Sequence, residues 1–173
     1  MTLAHDLLRD AFGRVHDDLP EVATGLTVDD LLWRPDPAAN SIGWLLWHLT
    51  RVQDDHLAGV GGIDQAWTAE GWATRFGLPY EVAAHGYGQT PGEVGAFALS
   101  DPALLTGYHA AAHALTLRVL DALTEADFAR IVDRRWDPPV TAAVRLVSVV
   151  NDITQHLGQA AYVRGLLERR RVV

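Results

Sequence analysis

The chain has 173 residues, with 14 basic and 22 acidic side chains, a formal net charge of −8 and no cysteine. The length fits one domain over residues 1–173 with a sizeable core, and the negative charge argues against a nucleic-acid partner. The lack of cysteine excludes disulfides, Cys-ligated zinc and a thiol nucleophile, and the lack of lysine excludes a Schiff base.

The N-terminal sequence MTLAHDLLRDAFGRVHDDL is amphipathic and acid-rich. It lacks the basic start and the apolar run of a signal peptide. No stretch approaches 18 uninterrupted apolar residues, so no membrane span is expected. We therefore expect a cytoplasmic protein that does not associate with membranes.

An apolar stripe from Leu3 to Leu19 predicts a first helix over residues 3–19 that ends near Pro20. Thr27 caps a predicted short helix whose first turn carries two acidic residues. Asn40 or Ser41 caps a second long helix, SIGWLLWHLTRVQDDHLAGV, which the glycines of residues 59–62 end.

Residues 60–100 hold eight of the fifteen glycines together with scattered tryptophan, tyrosine and phenylalanine residues. This composition predicts a long crossover between the second and third long helices, with short helical turns, one of them capped by Thr90. A connection of this length in a compact domain usually contributes to function or covers a site.

Asp101 and Pro102 begin a predicted third long helix, which runs to about Leu123. A loop or brief extended piece, VDRRWDPPV, separates it from a fourth helix over residues 140–170, whose apolar stripe runs from Leu146 to Leu167. Four long helices with a long second connection predict an all-α four-helix bundle.

Asp152 and His156 are spaced i, i+4 in the fourth helix and share a face with apolar residues. Burying both groups requires compensation, and a metal ion shared with a third ligand is one answer. His48 in the second long helix offers that ligand. The alternative is that His48 and His156 are core histidines bonded to Asp152 or Asp55.

His109 and His113 form a rival i, i+4 pair in the third long helix. They lie off its apolar stripe, so a solvated or interface position is expected. His56 is interpreted as a packed histidine. The remaining histidines, expected at the surface or in loops, are His5, His16 and His85.

The segments SIGWLLWHLTRVQDDH and NDITQHLGQAAYVRGLL resemble the DinB-like superfamily, with HLGQAAYVRG as the most specific part. Within it the chain is most similar to actinobacterial DinB-type proteins and mycothiol-dependent enzymes. The resemblance implies a four-helix bundle, often a homodimer, with a divalent metal held by His48, Asp152 and His156. Relatives commonly carry His or Glu at the position of Asp152, whose side chain is one methylene shorter than that of Glu. Three alternatives are open for Asp152: it ligates the metal directly, it ligates through water, or it marks a degraded site.

The resemblance further implies a metal-dependent enzyme in which bound Zn, or alternatively Ni or Fe, activates a low-molecular-weight thiol such as mycothiol. The thiol would be transferred to an electrophilic small-molecule substrate. The alternative is a non-catalytic, dimeric helical bundle that binds a metal or a small ligand. Candidate neighbours of the metal or of a pocket are Asp55, Gln159, Trp67, Trp72 and Arg51.

Overall fold

The structure, a computed structural model, describes residues 2–172 and is mostly helical, as predicted. Its helices are, in chain order, α1 (Leu3–Ala23), α2 (Val28–Leu32), α3 (Ile42–Gly61), α4 (Ala66–Ala69), α5 (Trp72–Phe76), α6 (Pro91–Gly95), α7 (Ala103–Ala122) and α8 (Ala142–Val172). A 3-10 helix (Glu125–Ala129) and two short strands, β1 (Ile131–Asp133) and β2 (Val140–Thr141), lie between α7 and α8. Within these residues no helix has the length and apolarity needed to cross a lipid bilayer.

Capping residues explain where several helices begin and end. The Thr27 hydroxyl accepts a hydrogen bond from the backbone N–H of Asp30 at 3.3 Å, and Ser41 Oγ accepts one from Trp44 at 3.2 Å. Each bond satisfies a donor that the first helical turn leaves free. Gly62 ends α3 in the left-handed region, with φ of +64°. The predicted short helix and the predicted bounds of α3 are confirmed.

The first helix does not end at Pro20, as the sequence predicted, but continues to Ala23. Proline inside a helix removes one backbone hydrogen bond and costs about 3 kcal/mol. The Thr24 N–H still donates to the Pro20 carbonyl at 2.9 Å, so the turn after the proline is intact. Burial of Leu19 and Ala23 on either side of Pro20 offsets the cost.

The long helices pack in pairs, with α3 against α7 and α8, and α1 against the same two helices. The predicted core stripe of α8 is confirmed, since Leu146, Val149, Ile153, Leu157, Ala160, Val163 and Leu167 are all buried. The start of the predicted α1 stripe is not, because Leu3 and Leu7 are 74% and 62% exposed. The pairing of α3 with α8 brings residues about a hundred positions apart into contact.

The segment between α3 and α7 contains the short helices α4, α5 and α6. The Thr90 hydroxyl caps α6 by accepting from the backbone N–H of Glu93 at 3.3 Å, as predicted. Phe76 and Phe97 are buried, so the segment adds its own aromatic residues to the core.

The predicted loop or extended piece before α8 is a small antiparallel hairpin. Ile131 pairs with Thr141 and Asp133 with Val140. The strands are joined by residues 134–139, and β2 leads directly into α8. The hairpin therefore lies beside the first turns of α8.

Candidate metal centre

His48 from α3 meets Asp152 and His156 from α8, and one potential ligand atom from each lies within 4.8 Å of the others. His156 Nε2 is 3.7 Å from Asp152 Oδ2. The rings of His48 and His156 are edge to face, with centroids 4.7 Å apart. The tertiary structure thus brings together the three residues that the sequence predicted as ligands, in a group that could hold a metal ion.

The imidazole of His48 is held from two sides. Its Nδ1 is hydrogen-bonded to the His85 carbonyl oxygen, and the ring stacks on Trp44 at a centroid distance of 4.7 Å. A carbonyl oxygen only accepts, so Nδ1 carries the proton and Nε2 keeps its lone pair. Burial, assisted by nearby His156 and opposed by the hydrogen bond to the His85 carbonyl, lowers the pKa of His48 to about 4. His48 is therefore neutral at pH 7, as a metal ligand must be.

The chain approaches His48 so closely at Gly86 that only glycine fits. A Cβ at this position would lie 2.6 Å from His48 Nδ1, and the residue has φ of +95°. The absence of a side chain here allows the neighbouring carbonyl of His85 to reach the imidazole.

His156 is oriented by Gln159 on the next turn of α8. Gln159 Oε1 is 2.9 Å from His156 Nδ1. An amide oxygen accepts, so Nδ1–H donates and Nε2 is free on the side of Asp152. Fixing the outer nitrogen of a histidine in this way is how metal sites select the ligating nitrogen. Gln159 therefore contacts one of the three candidate ligands.

Asp152 carries the clearest sign of a missing partner. Its Oδ1 is buried and has no hydrogen-bond partner among residues 2–172. Burial raises the pKa of the carboxyl, against the lowering effect of nearby histidines. A cation would satisfy the unpartnered oxygen, and two imidazoles with one carboxylate form a common divalent-metal ligand set. The residues present therefore fit a metal ion.

A cavity of about 540 Å³ opens beside the group and includes His48 and Asp152 in its lining. Val52 and Val149 supply apolar wall between α3 and α8, and the exposed Tyr87 stands at the edge. This volume is within the range of small-molecule sites.

The far end of the cavity is lined by Arg135 and Trp136 from the hairpin and by Arg145 from α8. None of these three residues was predicted from the sequence to lie at the site. Arg145 had a readable signal, because it precedes Asp152 by two helical turns and so shares its face. No local sequence pattern indicated Arg135 and Trp136, because their position depends on how the hairpin folds back.

Asp55 does not touch the candidate ligands. It accepts a hydrogen bond from Gln65 at 2.8 Å and lies 3.4 Å from His56 Nδ1. It borders a second cavity of about 330 Å³, while His56 lines both cavities. Asp55 is thus a pocket residue, but of the neighbouring pocket.

The structure corrects the placement of Arg51, which is fully buried and lines none of the cavities near the centre. Its guanidinium donates to Gln65 at 2.9 Å and to the Tyr108 hydroxyl at 3.2 Å, and lies 3.8 Å from Asp54. These partners compensate a buried charge, so Arg51 contributes to the core and is not a neighbour of the cavity.

Trp67 and Trp72, predicted to be neighbours of the metal or of a pocket, do not line the 540 Å³ cavity, although Trp67 lines a separate cavity of about 50 Å³. Trp67 is buried, donates to the Val82 carbonyl at 2.8 Å and packs on Tyr108. Trp72 packs on Tyr108 and carries the Arg75 guanidinium over its ring. Both indoles help to seat the crossover on α7, and the exposed aromatics at the cavity are Tyr87 and Trp136.

His109 and His113, expected at a solvated or interface position, are buried inside the fold, and His16 stacks on His113 at 4.1 Å. The reason is that α7 packs against α1 as well as α3, so its buried face is wider than one stripe. His5, expected at the surface, is buried too, with Nε2 2.9 Å from the Leu123 carbonyl oxygen.

The family profile of the DinB superfamily matches residues 11–160. A solved structure titled "Crystal structure of the conserved protein of locus from Enterococcus faecalis" superposes with a TM-score of 0.89. The two chains are 32% identical, and the match covers 96% of this chain and 98% of the other. Among curated proteins, no significant match was found.

Proposed function

Because this chain belongs to the DinB superfamily, whose members often bind metals, we propose that it is a metal-dependent enzyme that transfers a low-molecular-weight thiol to an electrophilic small molecule. The observation that carries the proposal is the convergence of His48, Asp152 and His156 beside a cavity of about 540 Å³. The unpartnered buried oxygen of Asp152 supports a cation at this position.

The two imidazoles would ligate through Nε2 and Asp152 through a carboxylate oxygen. Zn²⁺ suits two nitrogen ligands and one oxygen ligand, and Ni²⁺ and Fe²⁺ accept the same atoms. Three protein ligands leave a coordination position for a substrate, as catalytic sites require.

When bound, the divalent cation would supply a Lewis acid that lowers the pKa of a thiol. The thiol must come from outside, because the chain has no cysteine. The His85 carbonyl and Gln159 keep the outer nitrogens of the imidazoles protonated and their inner nitrogens free. Val52 and Val149 limit water on one wall, which strengthens electrostatic interactions inside the cavity.

Metal analysis of tag-free protein tests the metal half of the proposal. We expect stoichiometric metal in the wild type and its loss in His156→Ala. His16→Ala is the matched control, since it removes a half-buried histidine outside the group, and it should retain the metal. Absence of metal from the wild type, or equal retention by both variants, would contradict the proposal.

Turnover of a thiol with an alkyl or aryl halide tests the catalytic half. We expect activity in metal-loaded protein, loss on chelation and recovery on adding the metal back. Stoichiometric metal without turnover across a panel of thiols would favour the non-catalytic alternative, a metal-binding or small-ligand-binding bundle. The homodimer implied by the resemblance stays a prediction that light scattering tests.

A further inference from the structure

Two arginines meet on one carboxylate at the end of the 540 Å³ cavity away from His156. Arg145 on α8 donates to Asp133 Oδ2 at 2.8 Å. Arg135 on the hairpin donates to Asp133 Oδ1 at 3.0 Å and to Oδ2 at 2.9 Å. All three side chains line the cavity.

This cluster has an excess of positive charge. The Asp133 carboxylate is 6% exposed and is held ionised by its partners, so it neutralises one of the two guanidinium groups. Within the cluster itself one positive charge is left over, in a chain whose net charge is −8. A further carboxylate that acts on Arg135 is that of Asp55, which borders the neighbouring cavity. Because the lining of the whole cavity also includes Asp152, the positive excess is confined to this end, and there it favours an anionic ligand.

The arginines also have hydrogen-bond donors to spare. Among residues 2–172, Arg145 uses only one of its terminal nitrogens, and Arg135 Nη1 has no partner. Arg145 is 16% exposed, and its position is restrained by its bond to Asp133. Two neighbouring guanidinium groups with free N–H donors match the planar oxygens of a carboxylate.

The cluster lies at a defined distance from the candidate metal centre. Arg145 and Asp152 are seven residues apart on α8, and a rise of 1.5 Å per residue separates their Cα atoms by about 10 Å. Val52 and Val149 line the cavity between the two ends, and Trp136 and Tyr87 supply exposed aromatic rings. A ligand that spans the cavity therefore meets a cationic end, an apolar middle and the ligand group.

We propose that Arg145 and Arg135 form a carboxylate-binding subsite, and that the electrophilic substrate is a small organic acid with an apolar body. Its carboxylate binds the arginines, which places the rest of the molecule toward His48, Asp152 and His156. The assignment of the far end to the reacting part rests on the proposed function, whereas the carboxylate subsite rests on the arginine cluster alone.

Binding of 4-phenylbutyrate and its neutral analogue 4-phenylbutyramide tests the subsite by NMR-detected titration of metal-loaded protein. We expect the wild type to bind the acid more tightly than the amide by roughly tenfold to a hundredfold. Arg145→Gln should remove most of this preference and leave amide binding unchanged. Arg169→Gln is the matched control, because it makes the same charge change on α8 about 36 Å away, and it should retain the preference.

Arg135→Gln keeps the test decisive if Arg145→Gln does not fold, because Arg135 is 85% exposed. It should weaken acid binding several-fold. Equal binding of acid and amide by the wild type, or equal losses in Arg145→Gln and Arg169→Gln, would overturn the proposal.

A titration of chelator-treated protein separates the subsite from the metal. The preference for the acid should persist without metal, even if the metal analysis or the turnover assay fails. Disappearance of the preference on chelation would mean that the carboxylate binds the metal, and would overturn the assignment to the arginines.

Discussion

Gly86→Ala is expected to displace His48 and weaken metal binding, whereas Gly88→Ala is not. Both glycines have positive φ, +95° and +74°, so both substitutions strain the backbone. A methyl group on Gly86 would lie 2.6 Å from His48 Nδ1 and 2.9 Å from Trp44 Cζ2. A methyl group on Gly88 would have no heavy atom within 4 Å. The pair therefore isolates the contact with His48.

The expected magnitudes differ in a way that can be measured. Left-handed backbone costs an alanine about 1–2 kcal/mol, which applies to both variants. Gly86→Ala adds about 1–3 kcal/mol of overpacking against two rings that are themselves buried. Loss of the hydrogen bond between His48 and the His85 carbonyl adds about 1 kcal/mol. Because that bond orients the imidazole, metal affinity should fall by roughly tenfold to a hundredfold.

Two measurements check this reasoning. Urea unfolding of chelator-treated protein gives the stability of each variant, and competition with a chromophoric chelator gives its metal affinity. The expected result is a small stability loss with normal affinity for Gly88→Ala, and a larger loss with weakened affinity for Gly86→Ala. Equal metal affinities in two folded variants would refute the role of the close approach at Gly86.

Three further outcomes follow from the described contacts. Gln159→Leu should lower metal affinity by roughly tenfold to a hundredfold, because His156 Nδ1 loses its hydrogen-bond acceptor. Gln155→Leu, one turn earlier and also exposed, should leave metal affinity unchanged. Equal affinities of the two variants in a chelator competition would count against the orienting hydrogen bond. Asp152→Asn should lower metal affinity but preserve or raise the melting temperature of chelator-treated protein, because burial disfavours the ionised carboxyl and raises its pKa. A lower melting temperature of this variant would show that the carboxylate stabilises the fold. Burial, with nearby His16, lowers the pKa of His109 to about 3 and that of His113 to about 4, from 6.5. The unfolded chain therefore binds more protons between pH 6.5 and about 3, and stability should be full above this window and fall as the pH drops through it. His113→Gln should flatten this dependence in urea unfolding, and an unchanged slope would contradict the assignment.

Much of the helical framework could be predicted because its signals are local. Capping by Thr27 and Ser41 depends on residues within one turn, and the buried stripe of α8 depends on a 3.6-residue period. Pro20 misled the prediction, because the cost of a proline inside α1 is offset by burial of neighbours that only the packed structure shows. Local signals therefore predicted the presence of the helices more accurately than the residues at which they end.

Part of the candidate metal centre could be predicted from the sequence for the same reason. Asp152 and His156 are one turn apart, so the helix alone places them on one face. His48, by contrast, had to be chosen among the seven other histidines, and the resemblance to a family supported the choice. Histidines with equally good spacing, His109 and His113, are buried elsewhere because α7 is covered on two sides.

The sequence by itself determined the long helices, the face of α8 that carries Asp152 and His156, and the need to obtain any thiol from outside a chain without cysteine. Only the tertiary structure decided that His48 meets that pair, that Gly86 brings the His85 carbonyl to the imidazole, and that the hairpin adds Arg135 to Arg145. The physical reason is that helix formation and i, i+4 neighbours depend on interactions within a few residues. The meeting of α3, α8, the crossover and the hairpin depends on burial summed over the whole core, which no short segment of sequence encodes.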